Sequence, residues 1–443
     1  MVMQFYSIAF LFCFLPVFIM IYAWCSAGGK TALLVFGSLF FYAMACKGAY
    51  WQVVALAGGC VLTYCLGLLL QKRGRGWLLG LSVAALIGSL VFCKFFDGGR
   101  WLLPGMSFLA LQMSAYLIDV YRQKLPAEQD LLRYSAGIVM FPKLLSGPLA
   151  APAQLYSPEN GRATKALFHR GLQELIWGLV MKVLLANRFG GLWSQGKVIG
   201  YDGMSTPFAW MALCAYALQL YFDFYGYSLM AVGLGHMLGL RLPQNFDSPY
   251  ASKSVSEFYR RWHITLGAWF RDYLYIPLGG SRKGMVRTVL NICIVWLATG
   301  LWHGTSQGYF LWAGILGILI VNEKLWLGRL LDKSRVLCRI YTVLAVLLSW
   351  VPFAVSDPNH LRQFSLCLFG QAGRSGWTDF LIWGESYVGL FVVGIFLATP
   401  FPAKLWKKVR SHWTADVLLF VLFWIVVYSI STARQDPFLY FQF

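Results

Sequence analysis

The chain is a succession of about twelve apolar segments, each close to the roughly 20 residues with which a helix crosses a bilayer. The first four follow one another closely, from "SIAFLFCFLPVFIMIYAW" to "WLLGLSVAALIGSLVF". Only 12% of the 443 residues are charged, whereas soluble domains carry roughly 25%. The sequence therefore predicts an all-α polytopic membrane protein. It contains no long linker and no convincing internal repeat, which favours a single membrane domain over residues 1–443.

The formal net charge of +19 invites a nucleic-acid interpretation, but the basic residues are clustered between apolar segments. In membrane proteins such clusters mark cytoplasmic loops. We therefore expect membrane lipids as neighbours and no nucleic-acid partner. With all clusters on the cytoplasmic side, both termini are expected outside. The four clusters are Lys72, Arg73 and Arg75; Arg282, Lys283 and Arg287; Lys324, Arg329, Lys333, Arg335 and Arg339; and Lys404, Lys407, Lys408 and Arg410.

Two regions depart from the pattern of plain spanning helices. In residues 103–148, Pro142, Gly147 and Pro148 interrupt a short apolar run. Irregular backbone at membrane depth must be buried in protein or line a cavity, so a re-entrant or interfacial segment is expected there. In residues 254–278, "SVSEFYRRWHITLGAWFRDYLYIPL" places aromatic and arginine side chains on different helical faces. That pattern predicts one amphipathic helix in the headgroup plane, capped by Ser254 or Ser256, with Glu257 completing a capping box.

The stretch "TGLWHGTSQ" carries a histidine, His303, between two apolar runs whose outer ends are both basic. Counted from Arg287, the first run is about fifteen residues, or roughly 22 Å at 1.5 Å per residue. This is shorter than the roughly 30 Å hydrocarbon core. We therefore expect His303 at the turn of a hairpin with short arms, well inside the membrane.

Of the six histidines, His303 and His263 are the candidates for chemistry. Ionisable groups inside a bilayer are expensive and functional by default. Burial favours the neutral imidazole, which suits a general base. His263 lies beside Arg260, Arg261 and Trp262, and its alternative interpretation is an interfacial anchor. The chain has no nucleophile-elbow motif, no phosphate-binding loop, no dinucleotide fingerprint and no metal-ligand spacing, so no metal is expected.

A basic surface next to a buried histidine has a chemical logic. A thioester donor such as acetyl-CoA has a polyanionic head, and arginines bind phosphates bidentately. The acyl end would then reach His303, which would deprotonate an acceptor hydroxyl. Acetyl-CoA is expected as a co-substrate, with no bound cofactor.

Several long motifs also resemble a known family, the membrane-bound O-acyltransferases (MBOAT). The resemblance covers most of the chain and is closest to the bacterial alginate and peptidoglycan O-acetyltransferase branch; the teichoic acid D-alanyl transfer proteins are more distant. The motifs are "SFLALQMSAYLIDVYR", "FPKLLSGPL", "YFDFYGYSLMAVGLGHMLGLRLPQNFDSPY", "SVSEFYRRWHITLGAWFRDYLYIPLGGSRKG", "GLWHGTS" and the terminal "PFLYFQF", Pro437–Phe443.

The resemblance implies about 11 spanning helices and additional re-entrant helices around a central tunnel. It implies that His303 is the family's core histidine and that His263 is the histidine of the "RWHI" motif. Around them it implies a substrate and donor chamber, formed by Asp223, Tyr225, Asn245, Arg260, Arg261, Trp262, Arg271 and Trp302.

The implied activity is acetyl transfer from cytosolic acetyl-CoA across a bacterial cell membrane to a cell-surface or secreted polysaccharide. An extracytoplasmic SGNH-type partner enzyme would complete the transfer. The chain departs from the branch after Trp312, where Ala313 follows and a second histidine is missing. The acceptor therefore stays open, and D-alanyl transfer to teichoic acid is an alternative. A transporter or flippase without covalent chemistry and a non-catalytic scaffold are the others.

Overall fold

A computed structural model describes residues 3–46, 48–156 and 163–432. The terminal motif Pro437–Phe443 lies outside these residues. Within them the fold is all-α, as predicted, and the only β interactions are two isolated bridges. The chain is a multi-pass membrane protein, because nine helices in the described ranges are long and apolar enough to cross a bilayer. The 32-residue helix Thr206–Met237 and the shorter apolar helix Ala9–Trp24 are not among these nine, so the expected number of about 11 spanning helices stays a prediction.

The helices of the first half begin with a π-helical turn, Ala9–Phe14, that continues into α1. They are α1 (Leu15–Trp24), α2 (Ala27–Ala45), α3 (Trp51–Arg73), α4 (Gly76–Phe95), α5 (Met106–Tyr121), α6 (Leu131–Val139), α7 (Phe141–Leu144), α8 (Pro152–Leu155), α9 (Lys165–Val180), α10 (Asn187–Ile199) and α11 (Thr206–Met237). A second π-helical segment, Met181–Ala186, joins α9 to α10.

The second half contains more short helices. They are α12 (Val255–Arg261), α13 (Ile264–Phe270), α14 (Met285–His303), α15 (Gln307–Asn322), α16 (Gly328–Leu331), α17 (Leu337–Ala354), α18 (Pro358–Leu368), α19 (Thr378–Ala398), α20 (Pro400–Val409) and α21 (Trp413–Thr432). A single 3₁₀ turn, Pro249–Ala251, precedes α12, and π-helical turns follow α13 at Arg271–Tyr275 and α15 at Glu323–Leu327.

Two compact units form along the chain. Among the described residues, the first unit contains those up to Leu179, Gly226–Gln244 and Val421–Thr432, and the second contains Val180–Tyr225 and Asn245–Phe420. The single domain expected over residues 1–443 stays a prediction.

In the first unit, the irregular segment predicted around Pro142 is confirmed. Residues 141–150 are all buried. Its backbone is bonded by protein, since the Phe141 N–H donates to Ser38 Oγ at 2.8 Å. Lys143 is 3% exposed, its Nζ donates to the Ile138 carbonyl at 3.4 Å, and burial lowers its pKa well below the ordinary value. The segment therefore lies inside the protein, as irregular backbone in a membrane protein must.

Helix α9 packs closely against the last part of α11 in the same unit, and this close packing, called the seam below, requires glycine residues on both helices. A methyl group at Gly178 would lie 2.5 Å from the Gly226 carbonyl oxygen and 2.8 Å from the Met230 nitrogen. Two turns earlier on α9, Gly171 faces Gly233 with the same closeness. Beside the seam, His236 Nδ1 lies 2.5 Å from Glu174 Oε2. Backbone contact of this kind leaves no room for a side chain.

Gly178→Ala should therefore lower the midpoint of thermal unfolding of the purified protein in detergent. Overpacking costs about 1–3 kcal/mol because backbone atoms, rather than a flexible side chain, must move. The matched control is Gly389→Ala on α19, where an added methyl meets nothing within 4 Å. Equal midpoints for the two variants would contradict the seam.

Candidate functional site

Residues 255–270 form a helical hairpin rather than the single interfacial helix that the sequence predicted. Helix α12 ends at Arg261, His263 adopts a left-handed backbone conformation with φ +47°, and α13 begins at Ile264. Phe258 is fully buried, and Trp262 is 5% exposed. These two aromatic side chains thus pack inside the protein, and the prediction of one continuous helix is wrong; a place in the headgroup plane stays a prediction. The turn of the hairpin, Trp262–His263, is its apex.

The base of the hairpin is held by the predicted cap at Ser254, which is confirmed, whereas the reciprocal bond of a capping box is shifted by one residue, because Glu257 accepts the N–H of Lys253 and not that of Ser254. Ser254 Oγ accepts the Glu257 N–H at 3.0 Å, and Glu257 Oε2 accepts the Lys253 N–H at 3.0 Å. Burial alone would raise the pKa of Glu257, but the Lys253 N–H, Arg261 and Arg260 outweigh it. The pKa of Glu257 therefore lies below its ordinary value.

Asn245 holds the apex. Its Oδ1 accepts hydrogen bonds from Thr265 Oγ1 at 2.6 Å and from the Thr265 N–H at 3.2 Å, and its backbone carbonyl accepts the Ile264 N–H at 3.0 Å. Phe246 forms an antiparallel bridge with Trp262. A left-handed conformation at a residue other than glycine is strained and persists only where its surroundings impose it, typically at functional sites. Asn245 and Phe246 supply those surroundings for His263.

The imidazole of His263 is enclosed by aromatic rings. It is 4% exposed and meets Phe224 edge-to-face at 4.7 Å between ring centroids. Burial lowers the pKa of His263 to about 3. The side chain is therefore neutral at physiological pH and can act as a hydrogen-bond donor or acceptor.

His303 occupies the last position of α14 and is 4% exposed. Its ring is surrounded by four aromatic side chains at centroid distances of 4.9 to 5.9 Å, namely Trp302, Tyr309, Trp312 and Phe353. Gly304, with φ +151°, follows at the turn. The burial expected for His303 is confirmed, and its immediate cause is the set of aromatic rings around it.

The depth argument from short arms is wrong. Helix α14 begins at Met285 rather than at Arg287 and has 19 residues, about 28 Å at 1.5 Å per residue. The apolar helix that follows continues through π-helical and α-helical turns from Gln307 to Leu331. Both arms are thus long enough to cross a bilayer, and His303 lies at the end of α14 opposite the basic cluster.

Trp302 joins the two histidines into one site. Its indole centroid lies 6.2 Å from the His263 ring and 4.9 Å from the His303 ring. The hairpin apex therefore lies next to the end of α14. Two buried imidazoles beside one shared indole are groups of the type that transfers protons in catalysis.

The other predicted aromatic residues form the wall of this site. The Trp262 ring packs at 5.1 Å on Phe246 and at 5.3 Å on Trp350. Tyr225 packs at 5.4 Å on Phe246 and at 5.5 Å on Tyr221, and is partly exposed. Predicted site residues on α11, at the apex and before the hairpin thus share one cluster.

Asp223 forms a buried ion pair that the sequence analysis missed. Its Oδ1 lies 2.6 Å from Lys182 Nζ, and both side chains are almost fully buried. Lys182 belongs to the π-helical segment Met181–Ala186, and π-helical turns often mark functional regions. The neighbour of Asp223 is Phe224, which packs on His263. A lone lysine inside the apolar run "VMKVLLA" was the available signal.

The three predicted arginines differ in their pairing. Arg261 Nη2 lies 2.8 Å from Glu257 Oε1, and Arg271 Nε lies 2.7 Å from Asp272 Oδ1. Arg260 is exposed and, among the residues that the structure describes, has no carboxylate within 4 Å. Of the three arginines, Arg260 is therefore the one that could bind an anion without first breaking an ion pair with a carboxylate.

Known proteins with similar sequences identify the chain. Residues 203–351 match the model of MBOAT, the membrane-bound O-acyltransferase family. The probable alginate O-acetylase AlgI of Pseudomonas putida is 32% identical over the whole of both chains. The peptidoglycan O-acetyltransferase of Helicobacter pylori is 29% identical over 85% of this chain and 81% of that protein. The teichoic acid D-alanyltransferase of Bacillus subtilis is 24% identical over 60% of this chain and 71% of that protein.

The chain belongs to the membrane-bound O-acyltransferase family. As an MBOAT protein it is an enzyme, an acyltransferase of the membrane, so the interpretation as a transporter without covalent chemistry is set aside. The family match contains the hairpin, His263, Trp302 and His303. The catalytic and binding roles of the individual residues stay predictions.

Lys182→Met in this MBOAT protein should destabilise the fold by about 3–5 kcal/mol, because it leaves the Asp223 carboxylate buried without its cation. The double variant Lys182→Met, Asp223→Leu should regain much of that loss, since neither charge remains. Denaturant unfolding of the purified variants measures both effects. A double variant that is less stable than Lys182→Met would contradict this account of the pair.

Proposed function

We propose that this MBOAT protein moves an acetyl group from acetyl-CoA across a bacterial cytoplasmic membrane for O-acetylation of a cell-surface or secreted polysaccharide. The observation that carries the proposal is the pair of buried histidines that meet at Trp302. Acyl transfer to a hydroxyl needs a base and a group that stabilises the oxyanion. The two imidazoles can supply both.

In the proposed reaction, His303 takes the proton of the acceptor hydroxyl while the hydroxyl oxygen attacks the thioester carbonyl. A carbon–oxygen bond forms, and the carbonyl oxygen becomes an oxyanion. His263, neutral because burial lowers its pKa to about 3, donates its N–H to that oxyanion. The carbon–sulfur bond then breaks, and the thiolate of coenzyme A leaves and receives the proton from His303.

The aromatic wall has a role in this reaction. The rings of Trp302, Trp312 and Phe353 surround His303 and leave it 4% exposed. Exclusion of water strengthens the electrostatic interactions at the reacting carbonyl and protects the thioester from hydrolysis. Water is the competing acceptor in any acyl transfer, so a dry site favours transfer to the intended hydroxyl.

The basic ends of α14 and α15 support a cytosolic donor. Arg282, Lys283 and Arg287 precede or begin α14, and Lys324 and Arg329 follow α15. By the positive-inside rule this face is cytoplasmic. His303 lies about 28 Å along α14 from it. The proposal therefore requires the acyl group to pass from a cytosolic donor toward the opposite side of the membrane.

The relatives support acetyl as the acyl group and a polymer as the acceptor. Those that match the chain over its full length carry the name alginate O-acetylase, whereas the D-alanyltransferase matches 60% of it. An extracytoplasmic SGNH-type enzyme is the proposed partner, which would pass the acetyl group to the sugar. D-alanyl transfer to teichoic acid is the less favoured acceptor chemistry.

His303→Ala should lower acetyl transfer from radiolabelled acetyl-CoA in membranes at least about 100-fold, because general-base catalysis is lost. His412→Ala is the matched control, since His412 is exposed near α21. Immunoblots must give equal protein levels for both variants. Full transfer by His303→Ala at a normal protein level would contradict the proposed role.

Arg260→Gln should raise the KM for acetyl-CoA about ten-fold, with a smaller change in kcat, because one charge-assisted contact to phosphate is removed. Arg282→Gln, which removes an exposed arginine outside the hairpin, is the control. Initial rates at varied acetyl-CoA concentration separate the two constants. An unchanged KM for Arg260→Gln would contradict the proposed role of Arg260 in binding acetyl-CoA.

A further inference from the structure

Glu323 connects the end of α15 to the base of the hairpin, and the reaction proposed above does not use it. Its Oε1 accepts the Val255 N–H at 2.6 Å. Its Oε2 accepts the Ser256 N–H at 2.9 Å and the Ser256 hydroxyl at 2.6 Å. Glu323 is 8% exposed. A buried carboxylate with three hydrogen bonds to one short segment fixes that segment in place.

The two N–H groups that Glu323 accepts are the first two of α12. These groups have no partner within their own helix, and a negative charge is stabilised at that end. The third N–H of the helix, that of Glu257, donates to the capping hydroxyl of Ser254. Glu323 therefore bonds groups that the local cap leaves open, and it does so from a different helix.

Helix α15 joins Glu323 to the pocket of His303. At its other end, Tyr309 and Trp312 pack against the His303 ring. Helix α12 runs from Glu323 to the apex, and on the way Tyr259 packs on Trp312 at 6.3 Å. The apex then returns to His303 through the contact of His263 with Trp302. These contacts form a closed ring that runs from α15 through Glu323, α12, His263 and Trp302 and back to α15 at His303.

We propose that Glu323 is a positioning residue of the active site: it fixes the base of the hairpin against α15 and so sets the distance between His263 and His303. This inference rests on the proposed function. Both carboxylate oxygens are needed, because three donors converge on them. Glutamine offers one oxygen and would turn an NH₂ group toward a backbone N–H, whereas aspartate keeps both acceptors on a side chain shorter by one methylene.

The first experiment measures the position of the hairpin without any reaction. Hydrogen–deuterium exchange of the purified protein should be faster for residues 254–263 in Glu323→Gln and unchanged in α19. Glu385→Gln is the matched control, since it makes the same chemical change at an exposed carboxylate of α19. Unchanged exchange at residues 254–263 in Glu323→Gln would overturn the proposal.

The second experiment asks whether Glu323 acts through His263. Glu323→Gln should lower kcat/KM for acetyl transfer about ten-fold in the otherwise unaltered protein, and less than about two-fold when His263 is already alanine. Glu323→Asp should restore part of the rate. Full additivity of Glu323→Gln with His263→Ala would overturn the positioning role.

Two further variants keep the test decisive. If Glu323→Gln does not fold, Ser256→Ala removes only the hydroxyl bond to Oε2 and should give the same pattern at smaller size; no change in exchange or rate would count against the proposal. If His263→Ala alone keeps full activity, the proposed role of His263 fails, while the exchange result still decides whether Glu323 positions the hairpin.

Discussion

A chain that turns back inside a membrane protein must bond its own backbone, because no water is present to do so. The hairpin of α12 and α13 meets this constraint at both ends. Ser254 and Glu323 accept the N–H groups at its base, and Asn245 accepts those beyond its apex. The left-handed conformation of His263 exists only within this set of bonds. The placement of His263 next to Trp302 follows from it.

In the site, the charged side chains and the two histidines proposed to react lie in different surroundings. Lys182 and Asp223 form a buried ion pair, and the buried Glu323 accepts hydrogen bonds from the start of α12. The two histidines are instead surrounded by rings, and His263 stays neutral. An acyltransferase of the membrane needs this division, because a permanent charge beside the thioester would bring in water, whereas an imidazole can take and return a proton.

Sequence reasoning predicted features with local causes. The spanning helices follow from apolar length, the helix cap from Ser254, and the burial of the segment after Phe141 from its prolines and glycine. It failed where the cause was non-local. The break at His263 is imposed by Asn245 and Phe246, which precede α12, and the spacing of apolar residues along the helix does not predict it.

The depth of His303 was estimated by counting residues from Arg287, and that estimate failed because α14 begins at Met285. Glu323 and Lys182 each stand at or inside an apolar run, but their partners emerge only from packing. The resemblance to a known family identified the class of enzyme, which helical periodicity could not do, because the resemblance depends on sequence motifs and not on helix geometry.

A cryo-electron microscopy structure with a non-hydrolysable acetyl-CoA analogue tests the account most directly. The account predicts that the thioester-like carbonyl lies beside Trp302, within hydrogen-bond reach of His303 and His263, with the nucleotide phosphates toward Arg260. An analogue bound with its acyl end away from Trp302, and with neither imidazole within reach, would contradict it.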